Sequence, residues 1–329
     1  MEEELLVSGR MNQLIDPQLN IWHWQIPLYL FLGGMAAGIL CIAALYFIRG
    51  RENDYRTAVR ITPFLAPFLL VIGLLTLFID LRHKLFFWQL YTNIRLQSPM
   101  SWGAWTLMVI TPVSFIWCAL HIRDIFPRWD WKFKWIYDIE SFFNKYKKVL
   151  AWIMLIYGII LGIYTGILLS AFNARPLWNT SILGPLFLSS GLSAGAAATL
   201  ILSKDKAERK QFARIDLVLI GIELFFIIHM FMGFLASTQV QIEAAKLFLG
   251  GPYTMSFWIF VVILGMLIPA LLEFMELGKF HIPAIVPAVL VIFGSLMLRF
   301  IIVYAGQVSR WLSSCRPERQ VVYRHIGVS

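Results

Sequence analysis

Polar side chains that lie within or beside the apolar segments of this sequence form two groups, and each group suggests a chemistry. The first gathers where apolar segments begin or end and consists of His23, Tyr29, Asp80, His83 and Tyr164. Histidine and tyrosine donate hydrogen bonds to carbonyl oxygens, and aspartate and histidine exchange protons near neutral pH. Such a set can hydrogen-bond the carbonyl of a quinone headgroup and handle its protons.

The second group lies deeper in the apolar segments and consists of Glu223, His229 and Arg299. Ionisable groups inside a bilayer are costly and usually functional. Either Glu223 and Arg299 form a structural ion pair, or all three residues line a water-filled proton route. At 1.5 Å per residue the depths of Glu223 and Arg299 differ by about 9 Å, so a direct pair requires Arg299 to reach inward.

The sequence contains few residues that could ligate an iron–sulfur cluster or a haem. The cysteines Cys41, Cys118 and Cys315 lie far apart and form no CxxC motif, so we expect no iron–sulfur cluster in this chain. A b-type haem needs two facing histidines at one depth. His229 is the only histidine well inside an apolar segment, while His121 and His281 lie near segment ends and remain the one alternative pair. We therefore expect no haem.

The amino-acid composition indicates what kind of secondary structure positions the two groups of polar residues. The chain has 329 residues, of which 59% are apolar and only 14% charged, against about 25% charged residues in soluble proteins. This excess of apolar residues predicts a membrane protein and excludes soluble enzymes, disordered chains and nucleic-acid binders. We interpret the net charge of +9 as a topology signal.

Eight apolar stretches are long enough to cross a bilayer, and each must be helical because lipid offers no hydrogen bonds. The sequence therefore predicts an all-α polytopic membrane protein. The acidic, polar first 20 residues do not resemble a cleavable signal peptide. The predicted spans cover residues 26–48, 62–81, 101–121, 149–171, 182–202, 215–236, 253–272 and 284–306.

Basic residues predict the orientation of the spans. The loops after spans one, three, five and seven carry 17 lysines and arginines, whereas the other side carries 10, of which four lie in the C-terminal tail. The positive-inside rule places the first set in the cytoplasm and both termini outside, in a multi-pass protein of the cytoplasmic (inner) membrane. The longest loop, 122–148, alternates aromatic and basic residues and predicts an amphipathic helix on anionic lipid.

An internal repeat indicates two bundles. The segment LFLGGMAAG, Leu30 to Gly38, recurs as LFLSSGLSAG, Leu186 to Gly195. Spans one to four then copy spans five to eight in the same orientation. We expect an N-terminal segment 1–25, a first four-helix bundle 26–171 with the quinone site, a second bundle 172–306 and a tail 307–329. GxxxG spacings within both copies predict close helix packing.

The predicted quinone site lies in the outer half of the first bundle, where the polar residues of its spans gather. Trp22, Trp24, Trp88 and Trp102 flank it and can wall a headgroup pocket, although such residues are also ordinary interfacial anchors. Asp80 has an alternative role as the partner of Arg82.

Five segments, in this order, carry a family resemblance: WHWQIPLYLFLGGMAAG (Trp22 to Gly38), DLRHKLFFW (Asp80 to Trp88), SPMSWGAW (Ser98 to Trp105), YTGILLSAFNARPLWN (Tyr164 to Asn179) and SSGLSAGAA (Ser189 to Ala197). Together they resemble the polysulfide reductase membrane subunit family, also called NrfD-like, over all eight spans. Polysulfide-type members carry WHWTNALH where this chain has WHWQIPLY, so Ile26 and Tyr29 stand where that pattern has Asn and His.

The resemblance implies a fold of two four-helix bundles without haem. It implies electron exchange between a membrane quinone, menaquinone or ubiquinone, and a ferredoxin-like four-cluster iron–sulfur subunit. By motif position, Tyr29 and Tyr164 would hold the quinone head, with Asp80 and His83 nearby. A further catalytic subunit, a molybdopterin enzyme or a multihaem cytochrome c, would act on the terminal substrate.

Two functions from different classes follow. The first is a quinone-linked oxidoreductase subunit that does not itself transform the terminal substrate. It would be surrounded by membrane lipid and would have no nucleic-acid partner. One version of this hypothesis adds proton translocation. The second is a secondary transporter or ion channel built from two four-span repeats with an acidic residue near the midplane. The polar cluster at one end of the first bundle favours the quinone function.

Overall fold

The computed structural model describes residues 22–81, 83–95, 97–131, 134–278 and 283–309. Within these ranges the chain is helical, without a strand, and eight helices are long and apolar enough to cross a membrane. The predicted all-α membrane fold is therefore confirmed. The helices are α1 (Gln25–Ile48), α2 (Thr57–Asp80), α3 (Pro99–Leu120), α4 (Lys147–Ser170), α5 (Leu183–Leu202), α6 (Lys206–Leu235), α7 (Ser256–Leu277) and α8 (Ile285–Val308).

The eight helices pack as two four-helix bundles, α1–α4 and α5–α8, placed side by side through α1, α4, α5 and α8. Successive helices alternate in direction. The start of α1 and the end of α8 therefore lie on one side of the molecule, here called the Trp22 side. The starts of α2 and α6 lie on the opposite side, here called the Glu208 side.

Shorter helices cover the connections between the spanning helices. A 3₁₀ turn, Lys84–Phe86, and a helical turn, Gln89–Thr92, join α2 to α3 on the Trp22 side. The helix Gln239–Lys246 joins α6 to α7. Between α3 and α4, the turn Ile122–Ile125 is followed by the helix Lys134–Lys145, as the aromatic and basic pattern predicts. Arg123 fastens this helix by a 2.8 Å ion pair with Glu140.

Glycines bring the two bundles into direct backbone contact. A Cβ atom at Gly191 on α5 would lie 2.5 Å from the carbonyl oxygen of Gly34 on α1, and one at Gly195 would lie 2.7 Å from the carbonyl carbon of Gly38. These four glycines are the GxxxG pairs of the repeated segments. Equivalent helices of the two copies therefore pack against each other, as small residues at a membrane-helix interface allow.

The beginning of α2 follows from its prolines. Pro63 has no N–H to donate to the Val59 carbonyl, so a regular helix cannot continue there. The chain forms a π turn over Thr57–Ile61 and a 3₁₀ turn over Thr62–Phe64. The indole N–H of Trp117 on α3 donates to the Val59 carbonyl oxygen at 3.0 Å. This side-chain donor satisfies the carbonyl and extends α2 before residue 62, the predicted start.

Two helices are longer than the hydropathy pattern indicates. Helix α6 begins at Lys206 rather than at residue 215, because the Asp205 carboxylate caps it and accepts hydrogen bonds from the N–H groups of Ala207 and Glu208. Helix α7 begins with a π-helical segment, Ser256–Leu267, and continues to Leu277 rather than to residue 272. Both extensions bring acidic residues inside helices.

The ends of the described chain are fastened together on the Trp22 side. The backbone N–H of Trp22 donates to Oε1 of Gln307 at 3.0 Å, and Nε2 of Gln307 donates to the Trp22 carbonyl oxygen at 2.9 Å. The Trp22 ring also stacks on Trp178, with ring centroids 5.0 Å apart. These contacts, here called the Trp22–Gln307 clasp, join α1 to the end of α8.

Candidate functional site

Two buried tyrosines mark the interior of the first bundle near the Trp22 side. Tyr29 on α1 is 2% exposed, and Tyr164 on α4 is 6% exposed. Tyr29 lies over Gly73 on α2, where a Cβ atom would be 3.5 Å from its ring. The Tyr164 ring fills the space over Gly103 on α3, where any Cβ atom would collide with it. All four helices of the bundle therefore shape this site.

The two tyrosine hydroxyls lie close enough to interact with each other. Even so, the Tyr29 hydroxyl is buried and makes no well-formed hydrogen bond with any of the described residues. Buried polar atoms in folded proteins almost always have a hydrogen-bond partner. The orphaned Tyr29 hydroxyl therefore fits a ligand that brings a polar oxygen to this position.

His23 and Asp80 form a rim above the tyrosine pair. Asp80 ends α2 and is partly buried, while His23 is exposed beside the start of α1. The two side chains are near enough for their charges to interact. The predicted alternative, an ion pair of Asp80 with Arg82, falls on a residue outside the described ranges. Tyr91, which sequence reasoning missed, lies near Tyr29, and burial raises the pKa of its hydroxyl.

A cavity of about 440 Å³ lies beside this rim, between the connection that follows α2 and the start of α3. Its size falls in the range of ligand pockets, about 300–1,000 Å³. His83 lines the cavity, whereas Tyr29 and Tyr164 are not among its lining residues. The polar residues of its lining are His83, Gln89, Asn93, Arg95, Ser98 and Ser101.

The flanking tryptophans have different surroundings. Trp22 packs on Trp178 and Phe172 at the junction of the two bundles. Trp24 and Trp88 are about half exposed, and so is Trp102. Trp22 therefore closes the site against the second bundle, while the other three have the exposure expected of interfacial residues.

Arg299 lies at the boundary between the bundles and is completely buried. Its Nε donates to the carbonyl oxygen of Leu30 at 3.3 Å, and Nη2 donates to that of Phe187 at 3.0 Å. Its Nη1 donates to Ser190 Oγ at 3.0 Å and to Ser295 Oγ at 2.7 Å. The arginine of the second bundle thus reaches the backbone of α1 next to Tyr29.

Glu223 is also buried, with 3% of its surface exposed. It interacts with the Ser190 hydroxyl and with the Arg299 charge, but no ion pair within 4.0 Å joins it to Arg299 among the described residues. Ser190 therefore lies between the two charges and bridges the difference in depth that the sequence predicts for Glu223 and Arg299. The second carboxyl oxygen of Glu223, Oε1, has no hydrogen-bond partner in the described part of the chain.

His229 does not join Glu223 and Arg299. Its ring is exposed on the surface of α6 and stacks on Phe225, with ring centroids 5.8 Å apart. It follows Glu223 by six residues, which turns it to another face of a helix with 3.6 residues per turn. The sequence gives the position of His229 along α6, but that position does not fix the face of the helix on which it lies.

Sequence reasoning also missed two buried acids in the second bundle. Asp216 on α6 and Glu273 on α7 are both completely buried. Asp216 precedes Glu223 by seven residues and therefore lies two turns away on nearly the same face. The seven-residue spacing could have identified Asp216. However, the predicted span 215–236 has Asp216 at its edge, and the predicted span 253–272 ends just before Glu273.

The predicted alternative haem pair is not assembled from described residues. Nδ1 of the buried His121 ring is 2.9 Å from the Trp117 carbonyl oxygen, and His281 lies outside the described ranges. Among the residues that the structure describes, no group of three or more His, Cys, Asp or Glu is placed to hold a metal ion.

Comparisons with known proteins agree with this architecture. The family model described as "Polysulphide reductase, NrfD" matches residues 12–309. The chain is 33% identical to Protein NrfD of Escherichia coli (strain K12), over 88% of this chain and 96% of that protein. It is 30% identical to the C chain of polysulfide reductase from Wolinella succinogenes, over 87% of this chain and 94% of that protein. It is 28% identical to the Protein NrfD homolog of Haemophilus influenzae, over 88% of this chain and 95% of that protein. The chain belongs to the NrfD, or polysulphide reductase, family of multi-pass membrane proteins.

Proposed function

We propose that this chain is the membrane subunit of a respiratory oxidoreductase complex and exchanges electrons between a membrane quinone or quinol and an iron–sulfur partner subunit. One relative is named as a chain of polysulfide reductase, which supports membership in a multi-subunit reductase. Family membership also favours this function over a secondary transporter or ion channel.

The observation that carries the proposal is the orphaned hydroxyl of Tyr29 beside Tyr164. A quinone headgroup presents carbonyl or hydroxyl oxygens, which suit a phenolic hydroxyl as donor or acceptor. The residues therefore fit the group. A bound quinone supplies two-electron redox chemistry coupled to proton uptake or release.

The side chains around the tyrosines have distinct roles in this proposal. Tyr29 and Tyr164 orient the headgroup, and the close packing of Tyr164 on Gly103 holds the phenol in place. Asp80 and His23 exchange protons with water at the rim, because both are partly or fully exposed and close to each other. His83 and the cavity beside it border the path between the rim and the surface.

The partner would dock on the Trp22 side. The connection after α2 presents Leu85, Phe86, Phe87 and Trp88, with 86%, 54%, 47% and 50% of their surfaces exposed. This segment borders the rim, so a four-cluster iron–sulfur subunit seated there would bring a cluster close to the headgroup. A molybdopterin enzyme or a multihaem cytochrome c would complete the complex. By the charge count of the loops, the Trp22 side faces outward.

The second bundle would supply a proton route toward this site. Glu223, Ser190 and Arg299 form a continuous polar group that ends at Leu30, next to Tyr29. Proton translocation through these residues is part of the proposal. His229 is left out because its ring lies on the surface of α6.

Photolabelling tests the quinone site directly. The purified complex is irradiated with an azido-quinone, and the labelled peptides are mapped. We expect label on peptides of α1 or α4, competed by unlabelled quinone and reduced in a Tyr29→Phe variant. Tyr304→Phe, on α8, is the matched control and should leave the labelling unchanged. Competed label confined to the second bundle would place the site elsewhere.

A further inference from the structure

Three helices of the second bundle bring together a carboxyl pair that the proposed function has not used. Asp216 on α6 and Glu273 on α7 are completely buried and interact side chain to side chain. The Ser193 hydroxyl on α5 donates to Oδ1 of Asp216 at 2.5 Å. The pair lies between the middle of the bundle and the Glu208 side.

The hydrogen bonds of this pair are incomplete unless the carboxyl groups share a proton. Within the described ranges, no N–H or O–H donor reaches either oxygen of Glu273 or Oδ2 of Asp216. The two carboxyl groups nevertheless lie close enough for their side chains to interact. Two ionised carboxylates only accept hydrogen bonds and repel one another. A proton held between them supplies the missing donor and removes one charge.

The neighbouring charges place the pair within a series of acids. Glu223 lies two turns further along α6, about 10 Å toward the middle of the bundle. On the opposite side, Glu276 follows Glu273 by one turn of α7 and interacts with the charges of Arg209 and Lys210 at the start of α6. The series therefore runs from the Glu208 side to Glu223.

We propose that Asp216 and Glu273 hold one shared proton and form the proton-loading site of the second bundle. In transfer, the O–H bond within the pair breaks and an O–H bond to the Glu223 carboxylate forms, with ordered water bridging the gap. A proton from the Glu208 side, received by way of Glu276, then restores the pair. The role of Glu223 as acceptor and the destination of the proton, the quinone site, rest on the proposed function, whereas the shared proton does not.

Infrared spectroscopy of the purified complex tests the shared proton without reference to activity. At pH 7 the wild-type complex should show a buried carboxylic-acid C=O band that shifts in D₂O. Asp216→Asn and Glu273→Gln should each shift its frequency, since the remaining buried carboxyl group stays protonated but loses the partner that shares its proton. The double variant Asp216→Asn/Glu273→Gln should remove it. Glu243→Gln, in the partly exposed helix Gln239–Lys246, is the control and should retain it.

Folding is checked by size-exclusion chromatography and thermal unfolding. If one variant fails to fold, the other and the double variant Asp216→Asn/Glu273→Gln, which keeps a hydrogen-bonding pair, carry the test. A band that keeps its wild-type frequency in the folded single variants, or that persists in the folded double variant, overturns the proposal. Removal of the wild-type band by sodium at constant pH also overturns it, because the pair would then hold a metal cation.

Proton uptake separates this inference from the proposed function. In vesicles containing the complex, Glu273→Gln should slow quinone-coupled proton uptake from the Glu208 side at least tenfold while azido-quinone labelling stays at the wild-type level. Unchanged uptake would overturn the loading role. If labelling fails in the wild type but the infrared band behaves as expected, the quinone site is wrong and the shared proton stands.

Discussion

Nε of Arg299 donates a hydrogen bond to the carbonyl oxygen of Leu30 at 3.3 Å, which fixes a charge of the second bundle to the backbone of the first. Leu30 directly follows Tyr29 in α1. The absence of a side chain at Gly34 leaves room for this arrangement, since a Cβ atom there would lie 2.8 Å from Nη2 of Arg299. A displacement of the guanidinium would therefore change the contacts of the α1 backbone next to Tyr29.

Replacing Arg299 should be strongly destabilising. Arg299→Met removes the donor that the Ser190, Ser295, Leu30 and Phe187 oxygens share, and a buried hydrogen bond from a charged group typically contributes about 1.5–3 kcal/mol. Arg299→Lys should rescue little, because an ammonium cannot reproduce the planar fork of donors. Thermal unfolding in detergent measures both, with the exposed Lys204→Met as control. Wild-type stability of Arg299→Met would contradict the role of this residue as the fastening between the bundles.

The glycine contact between α1 and α5 should not accept a methyl group. Gly191→Ala places a Cβ atom 2.5 Å from the Gly34 carbonyl oxygen, and such overpacking costs about 1–3 kcal/mol. Gly33→Ala is the matched control, because a Cβ atom there meets nothing within 4 Å. Alanine also favours a helix over glycine, so the control should be neutral or slightly stabilised. Equal melting temperatures for the two variants would refute the contact.

The tyrosine pair should be needed for quinone turnover rather than for folding. Tyr164→Phe removes one buried hydroxyl, and a lost hydrogen bond of about 1–3 kcal/mol lowers kcat/KM for a quinol analogue roughly tenfold or more. Asp80→Asn should lower it as well, by removing a proton acceptor at the rim. Tyr157→Phe, on the same helix α4, should behave as wild type. Normal kinetics in both site variants, with the complex intact, would move the quinone site elsewhere.

Acid should destabilise the protein through His121, which follows α3. Burial, together with the nearby charge of Lys147, lowers the pKa of His121 to about 4, from about 6.5 in an unfolded chain. Its Nε2 is buried and finds no acceptor among the described residues, so protonation adds an unsatisfied N–H. Because the unfolded chain binds the proton first, stability is fully present above pH 6.5 and declines toward pH 4, by about 3 kcal/mol.

Melting temperatures measured between pH 7 and pH 5 check this dependence. His121→Gln should lose the His121 part of the decline, whereas His23→Gln, which changes an exposed residue, should keep it. If His121→Gln and the wild type decline in parallel, His121 is not the titrating group.

Labelling of introduced cysteines tests the predicted orientation of the protein in the membrane. Asn93→Cys lies in the connection after α2, and Asn144→Cys lies in the helix Lys134–Lys145; both positions are exposed and on opposite sides. In intact cells carrying Cys315→Ser, an impermeant reagent should label Asn93→Cys, unless the partner covers it, and spare Asn144→Cys. The native Cys41 and Cys118 are buried and should not interfere. Labelling of Asn144→Cys alone would place the Trp22 side in the cytoplasm.

The sequence predicts the eight spans well because crossing lipid requires about 20 consecutive apolar residues. It predicts the glycine packing because close helix contact requires small residues four positions apart. It predicts the tyrosine pair because residues near the same end of neighbouring helices lie at one depth. It misses Asp216 and Glu273, because hydropathy windows end where charged residues begin. Asp216 lies at the edge of one predicted span, and Glu273 lies just beyond another, although the helix α7 continues to Leu277. It also fails to place His229, because hydropathy does not show which face of α6 this residue occupies.

The Trp22–Gln307 clasp also sets an order of assembly. It joins residues that are 285 positions apart, and the contact between Arg299 and Leu30 spans 269 positions. A polypeptide synthesised from its N-terminus has α1 long before it has α8, so neither contact can exist in an unfinished product. The wall behind Tyr29 is therefore completed last. Only a subunit that includes both α1 and α8 can therefore close the proposed quinone site.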